Sequence, residues 1–242
     1  MIPSLPRADG SRFRPPTGGP SRRLIALALT LACLAGASLS IDLPMARLCK
    51  SGAIPKGIMR FLNFAEVFGH GLGVASILIS AAVLDPSLAG RRVPRRLFGL
   101  PASPDLARMV TTAFAGGLAA NVVKAALVDR VRPRAADLSA ATSALTTFGG
   151  SLAAAVTSHS DVNSFPSGHA ATAAGLAAAL AWKYPRGAWL FAAWAISVAL
   201  QRVATSAHYP SDVCAGAALG LSIAAYVLGN ATPTQVDDAD SP

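Results

Sequence analysis

Acidic residues are scarce in this chain. Glu occurs once, at Glu66, and Asp eleven times, against 21 basic residues of which 17 are Arg. Charged residues of both signs fill only 14% of the 242 positions, where an average soluble protein carries about 25%. That shortage excludes an ordinary soluble enzyme, whose surface needs interspersed charge. The apolar content, 52%, excludes a chain disordered throughout. Cysteine is nearly absent too: Cys33, Cys49 and Cys214 are too few for a disulfide scaffold and include no CxxC pair. A pI of about 10.3 taken alone points to nucleic acid. Aromatics are only 6%, however, and the basic residues alternate with apolar runs instead of forming one polar domain, so no nucleic-acid partner is expected.

What the chain has in quantity is uncharged apolar sequence. Runs free of Asp, Glu, Lys and Arg cover 24–41, 67–84, 109–123, 162–182, 187–201 and 213–236. Crossing the hydrocarbon takes about 20 helical residues, and flanking Lys and Arg extend the shorter runs by snorkelling. The pattern predicts an all-α integral membrane bundle of about six transmembrane helices. A seventh uncharged run, 138–160, is rich in Ser, Thr and Ala and reads as a loop with an amphipathic helix. Arg7, Arg12, Arg14, Arg22 and Arg23 precede the first run, Arg91, Arg92, Arg95 and Arg96 follow the second, and Lys183 and Arg186 follow the fourth. These segments alternate, so the positive-inside rule puts both termini in the cytoplasm. The expected organisation is a disordered basic tail (1–22), a membrane domain (23–230) and a short acidic tail (231–242). The stretch 21–38 also has the form of a secretory signal, whose cleavage would leave the remaining topology unchanged.

Charges beside membrane spans are costly and usually functional. The predicted outer ends of spans three to six collect Lys124, the "DRVRPR" segment at 129–134, "FPSGHA" at 165–170, and Arg202 followed by His208 and Asp212. This inventory suits phosphoryl chemistry. A phosphate monoester carries nearly two negative charges and calls for several Lys and Arg donors. Ser167 and Gly168 at a helix start offer backbone N–H groups to an anion. Two histidines divide the work of nucleophile and acid, and a carboxylate four residues from His208 can orient its ring. Arg130 is a further candidate phosphate contact.

These residues resemble the three-part signature of the type 2 phosphatidic acid phosphatase family, K-x6-R-P, P-S-G-H and S-R-x5-H-x3-D. The parts here are Lys124…Arg132-Pro133, Pro166-Ser167-Gly168-His169 and Arg202…His208…Asp212. The resemblance covers roughly 57–230, with the specific signal between 124 and 212. It implies a six-helix membrane fold and hydrolysis of a lipid phosphomonoester or pyrophosphate at the extracytoplasmic face, in a bacterial inner membrane. It also implies the roles. His208 is the nucleophile that forms a phosphohistidine, Asp212 orients it, and His169 is general acid and then base. Lys124, Arg132, Ser167, Gly168 and Arg202 hold the phosphoryl oxygens, and no metal or cofactor takes part. Transfer to a lipid or sugar acceptor, or lipid-phosphate binding without turnover, are the alternatives.

Two positions depart from the signature. Seven residues, not six, separate Lys124 from Arg132, and Gln201 stands where the family usually has Ser. An early helix end or a π-bulge would absorb the first. Outside the signature, His70 reads as a packing or helix-bonding residue, with pointing into the bundle as the alternative, His159 and Asp161 as solvated loop residues, and Glu66 as a snorkelling boundary residue. Cys49 and Cys214 read as unpaired small apolar residues, although both lie near the face where a bridge is chemically possible.

Overall fold

The computed structural model describes residues 20–88, 96–97, 100–101, 103–126, 128–149, 159–229 and 231–233. Seven helices carry the fold: α1 (Pro20–Lys50), α2 (Lys56–Ala65), α3 (Gly71–Leu84), α4 (Pro104–Ala126), α5 (Gly168–Lys183), α6 (Ala188–Ala204) and α7 (Pro210–Leu228). Between α3 and α4, β1 (Arg96–Leu97) pairs antiparallel with β2 (Leu100–Pro101). The segments Arg7–Arg14 and Arg91–Arg95 that carry the topology argument lie outside the described residues, as do Asp237, Asp238 and Asp240.

Among the described residues four helical segments are each long and apolar enough to cross a membrane: α1, α4, α6 together with the 3-10 turn before it (Pro185–Ala204), and α7. The expected second span differs from a single helix. It is a pair, α2 with the 3-10 turn Glu66–Phe68 and then α3, bent by 64° at the break. Gly69 and Gly71 and the extended backbone of His70 (ψ 136°) interrupt the helical hydrogen bonding there. The fourth expected span is shorter than the uncharged run, because α5 has 16 residues and starts only at Gly168. Within the loop run 138–160, the described part holds 3-10 turns at Ala144–Thr147 and from His159, not an amphipathic α-helix.

The short α5 occupies the centre, packed on α4, α6 and α7, while α1 lies along α7 and α2 against α6. Its sequence explains that place. "HAATAAGLAAALA" offers only small side chains, and small residues let membrane helices approach closely. A Cβ at Gly216 of α7 would collide with the Ser167 carbonyl oxygen, so this glycine allows the start of α5 to lie directly against α7. Larger apolar residues, among them Met109, Leu176, Val74, Leu78 and Val198, fill the space between α3, α4, α5 and α6. The outward faces stay apolar, with Leu72, Val83, Leu84 and Ile196 exposed, as a lipid-facing surface requires.

At the end of the bundle where α4 starts and α5 finishes, the charges pair up. Lys183 Nζ lies 3.5 Å from Asp105 Oδ2, and the Tyr184 hydroxyl donates to Asp85 Oδ2 at 3.0 Å. The end formed by the C-termini of α1, α4 and α6 and the N-termini of α5 and α7 gathers the remaining buried polar groups.

Candidate active site

The helix α4 ends at Ala126, and residues 128–134 continue as irregular chain. This early end absorbs the extra residue between Lys124 and Arg132. Main-chain hydrogen bonds then lace the segment to three others. Arg130 N donates to Val162 O (2.7 Å), Val131 N to Thr147 O (2.9 Å), Arg132 N to Asp161 O (2.7 Å) and Arg134 N to Ser206 O (3.0 Å). Asp161 is therefore no solvated loop residue: it is buried and its carboxylate accepts from Arg134 at 2.8 Å.

Arg130 and Arg132 go to opposite destinations. Arg130 is fully buried, and its guanidinium lies between the rings of Phe148 and Tyr209, 4.4 and 4.1 Å from their centroids. It donates to Asp212 Oδ1, to Asp42 Oδ2 (2.6 Å), to Ser211 Oγ (2.8 Å) and to Thr147 Oγ1 (2.9 Å). The expectation that Arg130 contacts phosphate is corrected by this placement. Two carboxylates consume its charge, and it does not line the cavity. Arg132 does line it.

That cavity, about 770 Å³, is bordered by Lys124, Arg132, Gly168, His169, Arg202 and His208. Six of the nine residues named from the sequence thus meet at one opening, with Asp212 directly behind. Ser167 stands apart: it is fully buried, caps α5 by accepting from Ala170 N at 3.4 Å, and is absent from the lining. The Cβ direction of Gly168 points at Asn121 Oδ1 and Lys124 Nζ, 3.4 and 3.7 Å from where a methyl would lie. The α5 N-terminus, with its unpaired N–H groups, therefore opens onto the lysine.

His208 sits in the α6–α7 connection. Its N–H donates to the Arg202 carbonyl at 3.1 Å, and two residues earlier Ser206 takes the left-handed conformation (φ 55°). Burial pushes the His208 imidazole well below the ordinary histidine range, to about 4, with Asp212 pulling the other way. The ring is therefore neutral near pH 7, the form in which a ring nitrogen can attack. His208 Nδ1 faces Asp212 Oδ2 at 3.6 Å, in reach for a hydrogen bond after a small adjustment. Asp212 is also held by Ser164 Oγ (2.6 Å) and by the Tyr209 N–H (2.8 Å).

Several site residues carry no signal in the signature. Asp42 of α1 accepts from Arg130, Ser211 N and Ser211 Oγ; a carboxylate ending an apolar run was the available clue. Glu66 is no snorkelling residue. Its Oε1 lies 2.6 Å from Arg202 Nη2 and 3.8 Å from His169 Nε2, and its Oε2 accepts from Gln201 Nε2 at 3.2 Å. His70 is not a packing residue either: it lines the cavity, its ring centroid 6.0 Å from that of His169. The three cysteines are free.

The PAP2 superfamily model matches residues 105–232, more than half of the chain. The chain belongs to the PAP2 superfamily. It is an integral membrane protein. Over 114 residues it is 40% identical to a lipid A 1-phosphatase of Rhizobium etli, covering 47% of this chain and 45% of that protein. Over 62 residues it is 50% identical to a lipid A 1-phosphatase of Rhizobium johnstonii, covering 26% and 25%. The matched stretches thus span less than half the length of these curated relatives. Among solved structures, a PAP2-type phosphatidylglycerolphosphate phosphatase from Bacillus subtilis has the same fold (TM-score 0.58, 19% identity, 86% of this chain and 94% of that one). The lysine and the arginines of the cavity, with His169 and His208 but not His70, come from the part of the chain that the PAP2 match covers.

Proposed function

We propose that this PAP2 protein is a lipid phosphate phosphatase that works through a phosphohistidine. The observation that carries the reading is the shape of the cavity. It starts at Lys124 and continues along α4 past Leu118 and Phe114 to Val110. The 14 helical steps from Lys124 to Val110 span about 21 Å, more than half the thickness of a hydrocarbon core of about 30 Å. A soluble phosphate ester has no use for such depth, whereas an amphiphile places its phosphate among the cations and an acyl chain below.

The residues then divide as follows. Lys124, Arg132, Arg202 and the N–H groups at Gly168 bind the phosphoryl oxygens and stabilise the charge of the transition state. Neutral His208 attacks phosphorus. Asp212 stabilises the imidazolium that results. As the P–O bond breaks, His169 gives a proton to the leaving oxygen. Water then attacks the phosphohistidine, His169 takes its proton back, the P–N bond breaks, and phosphate leaves. The substrate proposed first is the phosphate of a lipid A-type glycolipid, which is what the relatives' names state for them. The site faces outward from the cytoplasm, with both termini inside.

The test is phosphate release from lipid A, phosphatidic acid and phosphatidylglycerophosphate by the purified chain in detergent. Release with no added metal, inhibition by vanadate, and loss of at least about 100-fold in kcat for His208→Asn or His169→Asn are expected. Full activity in either variant refutes its role.

A further inference from the structure

We propose that Glu66 is the positioning partner of the general acid: its carboxylate stabilises the protonated form of His169 while fixing the guanidinium of Arg202. The proposal rests on the phosphatase reading above. The structure gives His208 and His169 each a carboxylate just beyond hydrogen-bond distance, Asp212 at 3.6 Å from His208 and Glu66 at 3.8 Å from His169. His169 Nε2 is buried and has no hydrogen-bond partner. The other charged or titratable groups acting on this ring are Arg202 from α6, His208 from the α6–α7 connection, His70 ahead of α3 and Lys124 from α4. Burial first, and then the two fixed cations among them, oppose protonation of the imidazole. A general acid must nevertheless hold its proton when the ester arrives, and Glu66 supplies the offsetting negative charge. The bend between α2 and α3 is what delivers it. Glu66 opens the 3-10 turn that ends at Phe68, on the segment where the helix is broken beside the cavity.

Glu66 is not free to drift. Gln201 Nε2 donates to Glu66 Oε2 and to Asn63 Oδ1, each at 3.2 Å, and Gln201 Oε1 accepts from Arg202 Nε. With its Nε bonded to Gln201 and one Nη2 proton on Glu66, the Arg202 fork keeps three N–H donors for a phosphate.

The leaving group separates this role from a purely structural one. An alkyl phosphate needs a proton on departure, and a nitrophenyl phosphate does not. The pair to compare is a long-chain alkyl phosphate and the matching alkyl-nitrophenyl phosphate, with the full chain in detergent, as parent, Glu66→Gln, Glu66→Asp and His169→Asn. Glu66→Gln keeps an acceptor oxygen for Arg202 but removes the charge. It is expected to lower kcat/KM, which reports P–O cleavage and not the later attack of water, about 10- to 100-fold on the alkyl ester, a share of what general acids contribute, and less than about threefold on the nitrophenyl ester. Glu66→Asp recovers part of the loss, and His169→Asn shows the same ester selectivity more strongly. Equal losses on both esters, or none, overturn the proposal. Equal losses confined to KM would mean that Glu66 serves Arg202 alone, which also overturns it. A parent that hydrolyses neither ester overturns the phosphatase reading first and the role of Glu66 with it.

Discussion

Replacing Asp42 by Ala tests how the nucleophile's carboxylate is supported. Asp42 sits on α1, outside every signature motif, yet accepts from the Arg130 guanidinium and from both the N–H and the hydroxyl of Ser211. All three residues are buried. Arg130 is a single guanidinium between two carboxylates, Asp42 and Asp212. The cluster therefore carries one surplus negative charge, next to the imidazole that becomes cationic in the proposed attack on phosphorus. Breaking one half of a buried ion pair costs about 3–5 kcal/mol, and leaving the Ser211 N–H without an acceptor costs about 1–3 kcal/mol within that sum. For a chain of this size each kcal/mol lowers the unfolding midpoint by about 2–4 °C. Asp42→Ala is thus expected to unfold roughly 6–20 °C below the parent in the same detergent. A second expectation concerns turnover. With Asp42 gone, Arg130 draws on Asp212 alone and weakens its hold on the His208 imidazolium, so kcat falls even at temperatures where the variant is folded. Thermal melts, with kcat measured well below the melt, read both effects. In a double-mutant cycle with Arg130→Met, the two losses should be strongly non-additive. An Asp42→Ala protein that melts within 2 °C of the parent and turns over normally refutes the charge argument.

Lys124→Met should raise KM for a lipid phosphate and weaken inhibition by inorganic phosphate at least about tenfold, whereas Arg130→Lys should lower stability more than phosphate affinity; isothermal titration with phosphate and thermal melts separate the two. Because burial holds His208 near 4, its imidazole stays neutral as pH falls through 6.5 and protonates only near 4. The acid limb of kcat/KM assigned to it should therefore lie below pH 5, and a limb that vanishes from pH 6.5 downward in a pH-rate profile contradicts its burial. Gly216→Val should dislodge the start of α5 from α7, costing about 1–3 kcal/mol from overpacking and reducing activity through misplaced His169. Reporter fusions after residues 55 and 140 should read as extracytoplasmic.

The bundle and most of the polar residues that line the cavity were legible in the sequence because each leaves a local mark. Uncharged runs mark membrane helices, and a Lys, an Arg and two His at helix ends mark an anion site. The parts that escaped depend on distance in space. Nothing local distinguishes Arg130 from Arg132, two residues apart in one basic segment. They separate because Phe148, Tyr209, Asp42 and Asp212 arrive from four other places and enclose the first alone. The bend of the second span was hidden as well. The uncharged run begins after Glu66, so the charge count marked Glu66 as an edge, while the structure puts it inside a broken pair of helices. Ser167 shows the reverse error, in which a hydroxyl expected to serve the ligand serves its own helix as a cap.

Gln201 links the departure from the family signature to the glutamate. A serine at that position carries one hydroxyl close to the backbone. It cannot donate to Asn63 and Glu66 while accepting from Arg202, as the longer amide does. The amide bridges the carboxylate on α2's broken end to the guanidinium on α6, so Gln201 and Glu66 act as one unit. Asp42 and Arg130 form the corresponding unit on the other side of the site. In each, a carboxylate that precedes the matched region 105–232 steadies an arginine within it. The signature residues of 124–212 therefore do not make a complete site by themselves. A chain starting at Pro104 would keep both histidines and Asp212, but would leave Arg202 without Glu66, and the buried Arg130 and Ser211 without the acceptor oxygens of Asp42. The buried one bears the greater cost, because water cannot replace what α1 supplies.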